Sequence, residues 1–260
     1  MSHPVPALRC HGLTRSFGEL RAVDAVDLVV APGARHALIG PNGAGKSTLF
    51  KLVTGALRAD AGRVELFGRD ITRLSQVRRS RLGMAQTLQQ DSLFPSLTAA
   101  QTVALAVRRH ETRRRETLRE RVDELLSRVG LAERGDTRVA ALSHGECRQL
   151  EVAVALACRP QLLLLDEPAA GLSAAKRARL VALLAGLPQE VTVLFVEHDL
   201  DVVFQLADAV TVLHLGKVLF TGSPDEARES EAVRAAYLGV RRREELFTPR
   251  EGGAGVAAGT

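Results

Sequence analysis

Residues 34–49 read Ala34-Arg35-His36-Ala37-Leu38-Ile39-Gly40-Pro41-Asn42-Gly43-Ala44-Gly45-Lys46-Ser47-Thr48-Leu49. The apolar run from Ala34 to Ile39 predicts a short buried strand, and Leu49, Leu52, Val53 and Leu57 recur at helical spacing. The expected helix runs from Lys46 to Leu57, closed by a turn at Gly62. Between strand and helix, Gly40, Gly45, Lys46 and Ser47 satisfy G-x-x-x-x-G-K-[ST]. Glycines let backbone N–H groups turn inward around phosphates, and the positive end of the following helix faces the same anion. Lys46 is placed to reach the terminal phosphates and Ser47 to ligate Mg²⁺, with Pro41, Asn42, Gly43, Ala44 and Thr48 completing the cradle. A plain glycine turn at a helix start is the structural alternative, and the flanking elements favour the phosphate reading. The loop alone does not separate kinases, GTPases, helicases and transporters.

A second stretch narrows the class. Leu162-Leu163-Leu164-Leu165-Asp166-Glu167-Pro168 sets two acids at the C-terminal edge of an apolar strand, where open α/β sheets bind ligands. Asp166 is expected to hold Mg²⁺ through water, and Glu167 to orient or deprotonate an attacking water. Structurally, the same acids could merely end a strand ahead of Pro168.

Working outward, Leu8 to Val30 reads as strands with polar turns and Val64 to Phe67 as another strand, followed by a polar arginine-rich stretch. Thr98-Ala99-Ala100-Gln101 matches a capping box that opens a largely helical region reaching about Arg159. Beyond Pro160 come strand Leu162 to Leu165, helix Lys176 to Leu187, strand Val191 to Val196, helix Asp201 to Ala207, and a strand pair around Gly216. Alternating strands and helices predict a mostly parallel sheet with an antiparallel β edge, covered on both faces.

With 46% hydrophobic and 25% charged residues over 260 positions, the chain has a globular composition. Its longest apolar run, Val152 to Cys158, falls far short of the roughly 20 residues of a membrane span, and no apolar segment opens the chain. A cytoplasmic location is expected. Cys10, Cys147 and Cys158 form no metal-ligand spacing and are read as free thiols. The net charge of +5 raises nucleic acid as a partner. Acids interleave the Arg108 to Arg128 cluster at helical spacing, and a single tyrosine without tryptophan leaves few stacking platforms, so no nucleic acid is expected.

Leu142-Ser143-His144-Gly145-Glu146 lies about twenty residues before Asp166, and here the chain resembles the ABC ATPases, whose marker LSGGQ stands as LSHGE. Ser143-x-x-Glu146 also matches a capping box; the readings are compatible, because a helix N-terminus with an exposed serine binds phosphate. The resemblance implies that Ser143, Gly145 and Glu146 contact ATP held by an opposite subunit. It places Phe17 against adenine, although an isolated phenylalanine is more often a core residue. It makes Gln89 the Q-loop glutamine that senses Mg²⁺ and meets the membrane partner, and His198 the switch histidine at the γ-phosphate; Asp199 reads as a helix N-cap. Gly171-Leu172-Ser173 takes the D-loop position with Ser173 in place of the usual Asp or Asn. His144 and Glu146 are further departures from the family pattern.

The implied fold is a RecA-like P-loop NTPase core with an inserted α-helical subdomain. Its ATPase domain spans 5–240, the core covers about 5–90 and 160–240, and the helices about 91–159. A basic, then Gly/Ala-rich tail follows at 241–260 and is expected to be partly disordered. The strings Arg35 to Gly40, Leu93 to Thr98, Glu197 to Phe204 and Ala235 to Gly239 are similar to ATP-binding subunits of branched-chain amino-acid importers. Urea and short-amide importers share that group, and the lipopolysaccharide-export ATPase is a near relative. The resemblance implies ATP and Mg²⁺ as ligands and a second ATPase subunit and transmembrane permeases as partners. It further implies an extracytoplasmic substrate-binding protein as an indirect partner, and a place on the cytoplasmic face of the cell membrane. Soluble ABC proteins of translation or repair usually carry two cassettes or long coiled-coil inserts, which this sequence does not contain.

Overall fold

In the computed structural model, residues 5–87, 93–110 and 115–238 are described. Gln89 and the 241–260 tail lie outside them.

The strands fall into two sheets of different character. β1 (Leu8–Phe17) and β2 (Leu20–Val30) pair antiparallel, and with β4 (Ala61–Leu66) and β5 (Arg69–Asp70) they form a sheet ordered β2-β1-β4-β5. Val26, Leu28 and Val30 alternate buried with exposed neighbours along β2, the pattern of a sheet with one wet face. The second sheet is centred on β3 (Arg35–Ile39), buried at every position. Beside it run β6 (Met84–Gln86), β7 (Leu162–Asp166), β8 (Thr192–Val196) and β9 (Ala209–His214), all parallel. β10 (Lys217–Gly222) closes one edge antiparallel to β9, giving the order β10-β9-β3-β8-β7-β6. The mostly parallel core with its antiparallel edge is therefore as the sequence predicts.

α1 (Lys46–Thr54) lies between the sheets, where Leu49, Leu52 and Val53 join a core with Leu8, Val23, Leu38 and Leu164. It ends earlier than the sequence suggests. Gly55, at φ +79°, returns its N–H to the Leu52 carbonyl, a left-handed cap that only glycine adopts cheaply. On α2 (Gln76–Arg81), Arg79 seals that end: its guanidinium donates to Leu52 O at 2.8 Å, Leu74 O at 3.0 Å and Thr72 O at 3.0 Å. Burial lowers its pKa, and the carbonyl end of α1 supplies the compensating negative potential. Within a stretch read as polar, one arginine is thus a core residue that anchors the phosphate-loop helix.

On the opposite face of the parallel sheet, Leu163 and Phe195 share a core with Val103 of α3 (Ala99–His110), Leu125 of α4 (Arg115–Arg128) and Leu150 of α5 (His144–Ala157), α3 and α4 packing on α5. Thr98 and Gln101 form the expected reciprocal cap, at 3.0 and 3.1 Å. Basic residues on α4 pair along the surface, as Arg121 does with Glu124 at 2.6 Å. α6 (Ala174–Ala185) and α7 (Leu200–Leu206) fill the β-α-β repeat, and Asp199 caps α7 as expected. α8 (Pro224–Glu229) and α9 (Glu231–Leu238) escape the sequence reading, although Ser223-Pro224-Asp225-Glu226 is a capping-box signature and forms one. Among the described residues, no helix is long and apolar enough to cross a membrane.

Candidate nucleotide site

The loop between β3 and α1 is shaped by glycines that admit no side chain. A Cβ on Gly40 would sit 2.2 Å from the Leu213 carbonyl oxygen, and one on Gly45 2.3 Å from that of Ala22. Gly45 is the N-cap of α1 with no side-chain cap, and the first turn holds no acid, so its N–H groups face the loop uncompensated. Ala44 is buried and its carbonyl accepts the Gly216 N–H at 3.0 Å, whereas Asn42, Gly43 and Ser47 are exposed. Lys46, only 6% exposed, donates from Nζ to Gly40 O at 2.7 Å and Pro41 O at 3.0 Å. Burial lowers its pKa, while the nearby Glu167 and Asp166 carboxylates favour its charge. Backbone donors, a helix N-terminus and a buried ammonium converge here, an arrangement suited to a polyanion.

The acids end β7 as the sequence places them. Asp166 donates its backbone N–H to Thr87 Oγ1 at 3.2 Å, and burial, then the neighbouring Glu167, pushes its carboxyl upward. Glu167 occupies the left-handed region at φ +48°, a strained conformation for a residue with a Cβ. Its N–H reaches Val196 O on β8 at 2.9 Å, and its Oε1 stands 2.6 Å from His198 Nε2. A cavity of about 510 Å³ joins Ser47, Thr87, Asp166 and Glu167 with Gln86 and Arg148. Carboxylate and imidazole in contact, beside a phosphate cradle, can orient a water and take its proton.

Thr87 and Arg148 are additions the sequence reading missed. Arg148 was detectable as half of an i,i+3 pair with Glu151, the last charged residue before the apolar half of α5, which it bonds at 2.9 Å. Tyr237 on α9 is partly buried against the core of the parallel sheet.

The LSHGE residues gather elsewhere. Ser143 caps α5: its backbone N–H and its hydroxyl each lie 2.8 Å from Glu146 Oε2, and its Oγ accepts the Glu146 N–H at 3.4 Å. Those contacts hold the Glu146 carboxyl below the usual range, with Arg134 adding to the effect. Ser143 is exposed, and its hydrogen bonds stay within α5. Gly145 packs against the segment at the D-loop position, where an added Cβ would stand 3.1 Å from Leu172 Cδ2. Phe17 is 47% exposed with the Arg15 guanidinium over its ring, so it is not a core residue.

Residues 23–170 match the family model described as ABC transporter. The chain belongs to the ABC transporter family. This cassette is accordingly an ABC-type ATP hydrolase, and residues 217–242 also match the model described as branched-chain amino acid ATP-binding cassette transporter. It is 36% identical to the high-affinity branched-chain amino acid transport ATP-binding protein BraF of Pseudomonas aeruginosa, over 92% of this chain and 99% of that one. The sulfate/thiosulfate import ATP-binding protein CysA of Synechococcus elongatus is 41% identical over 85% of this chain and 64% of its own length. Among solved structures, the ADP conformation of the cassette MJ1267 aligns with TM-score 0.78 at 26% identity, over 90% of this chain and 99% of that one. The dimeric bacterial cassette MJ0796 aligns with TM-score 0.77 at 25% identity, over 84% of this chain and 98% of the other.

Nucleotide fits the cradle: an added Cβ on Gly43 meets nothing within 4 Å, leaving that side of the loop open. Mg²⁺ fits the donors too. Ser47 and Asp166 offer hard oxygens in one cavity, and no group of three or more His, Cys, Asp or Glu forms a cage among the described residues. Mg²⁺ is characteristically held that way, by one or two protein oxygens together with substrate phosphates.

Proposed function

We propose that this ATPase powers a branched-chain amino-acid importer from the cytoplasmic face of the cell membrane. The observation that carries the cargo class is the match at residues 217–242 to the branched-chain amino acid cassette model, because nothing in an ATP site reads cargo. The sulfate/thiosulfate relative matches over a smaller share of its own length.

In this reading the core at about 5–90 and 160–240 binds MgATP, and the helices at about 91–159 form a subdomain that meets the permease. The Gly40 to Thr48 loop wraps the phosphates, Lys46 neutralises them, and Phe17 stacks on the adenine. Ser47 and Asp166 hold Mg²⁺, with Gln89 assigned beside them by sequence position alone; the ion, when bound, neutralises charge on the phosphates. Glu167 orients the attacking water and accepts its proton, and His198 holds Glu167 and the γ-phosphate region in register. A second cassette, identical or homologous, presents Ser143, Gly145 and Glu146 to the same ATP. Burying nucleotide at that interface favours closure by its differential affinity for the closed pair, and hydrolysis removes the contacts that sustain it. Domain movement passes through the helical block to the permeases, which an extracytoplasmic binding protein supplies.

Affinity isolation of the tagged chain from detergent-solubilised membranes tests this. Transmembrane subunits and a second cassette should co-purify, and the isolated complex's ATPase should rise with a binding protein loaded with leucine, isoleucine or valine. Stimulation by sulfate or urea binding proteins instead would overturn the cargo; recovery with ribosomes or DNA alone would overturn the transport role.

A further inference from the structure

β7 and β8 are neighbouring parallel strands, and each delivers one member of the Glu167–His198 pair to the loop at its C-terminal end. Both side chains are open to solvent, at 40% and 43%, so side-chain packing does little to fix their 2.6 Å contact. The backbone has to do it, and at Glu167 that backbone is strained at φ +48°.

Glu197 lies between the two loops and is 3% exposed. Its Oε1 accepts the Ala169 N–H at 2.8 Å, in the loop that follows Glu167. Its Oε2 accepts the His198 N–H at 3.1 Å. One oxygen therefore grips the Glu167 loop and the other the His198 loop. Burial pushes the Glu197 carboxyl upward, and these backbone donors, rather than a cation, are what oppose it. An acid kept buried at that cost, with both oxygens engaged by backbone N–H groups of two different loops, serves geometry.

We infer that Glu197 is a positioning residue, which fixes the Glu167–His198 contact by tying the β7 and β8 loops together through their backbones. The inference rests on the reading of Glu167 and His198 as the hydrolytic pair.

Glu197→Gln provides the test, because the amide keeps the volume but offers one acceptor oxygen, and its NH₂ then opposes an N–H on the other side. It can hold one loop and not both. Steady-state hydrolysis by the full chain should show kcat lowered about tenfold, with KM and MgATP affinity within about twofold of wild type. In a His198→Ala background the same substitution should cost less than about twofold more, because its effect runs through His198. Unchanged kcat in Glu197→Gln, or an undiminished tenfold loss in the His198→Ala background, overturns the inference. Unchanged kcat in His198→Ala overturns instead the reading of the pair on which it rests. Should Glu197→Gln fail to bind MgATP, Glu197→Asp replaces it: one methylene shorter, it cannot span both loops and should give the same split, and wild-type kcat there overturns the proposal.

Discussion

Lys46→Ala should lose tight MgATP binding, with affinity in a fluorescent-nucleotide titration falling about a hundredfold or more. The ammonium is already buried at the mouth of the loop, 2.7 Å from Gly40 O, so it needs little reorganisation to meet phosphate. Charge-assisted hydrogen bonds to a phosphate contribute about 1.5 to 3 kcal/mol each, and two such bonds account for that loss. The fold should survive, because Lys46 bonds only the carbonyls of its own loop, whereas α1 is held by Leu49, Leu52 and Val53 and by the Arg79 cap. Unchanged nucleotide affinity would remove the loop from the site.

Glu167→Gln should separate binding from hydrolysis. Gln keeps the length and the strained backbone position, leaves Lys46 in place, and removes the carboxylate that accepts a proton. MgATP affinity should stay within about threefold while kcat falls about 10² to 10⁴-fold, the range for losing a positioned general base. Phosphate release under saturating MgATP measures it. Wild-type turnover would mean that another group receives the proton, and the 2.6 Å contact with His198 would then be structural.

The parts of the site legible in the sequence are those where a motif and a periodicity agree. β3, the Gly40 loop and α1 were readable together because an apolar run, a glycine pattern and a 3.6-residue spacing meet there, and Asp166 and Glu167 because they end an apolar run. The end of α1 is not legible: Leu57 continues the apolar period, but Gly55 takes a left-handed cap and Arg79, 24 residues further on, seals it. Long-range side-chain capping leaves no local trace. Glu197 is invisible for the same reason, since a single acid after an apolar strand says nothing about the N–H groups it will meet. Phe17 could be read either way until its exposure placed it at the surface. Ser143 fits both a cap and a marker in the sequence, and its contacts within α5 follow from its N-cap position.

Ser143 is exposed and does not line the cavity that joins Ser47, Asp166 and Glu167, as the proposed site shared between two chains requires. The direct measurement is MgATP hydrolysis by the purified transporter complex carrying Ser143→Arg in this chain. This chain's own Lys46 loop should bind MgATP with wild-type affinity, while hydrolysis should fall at least about twofold because the partner's ATP loses its phosphate contact. Hydrolysis at the wild-type rate would contradict the shared site.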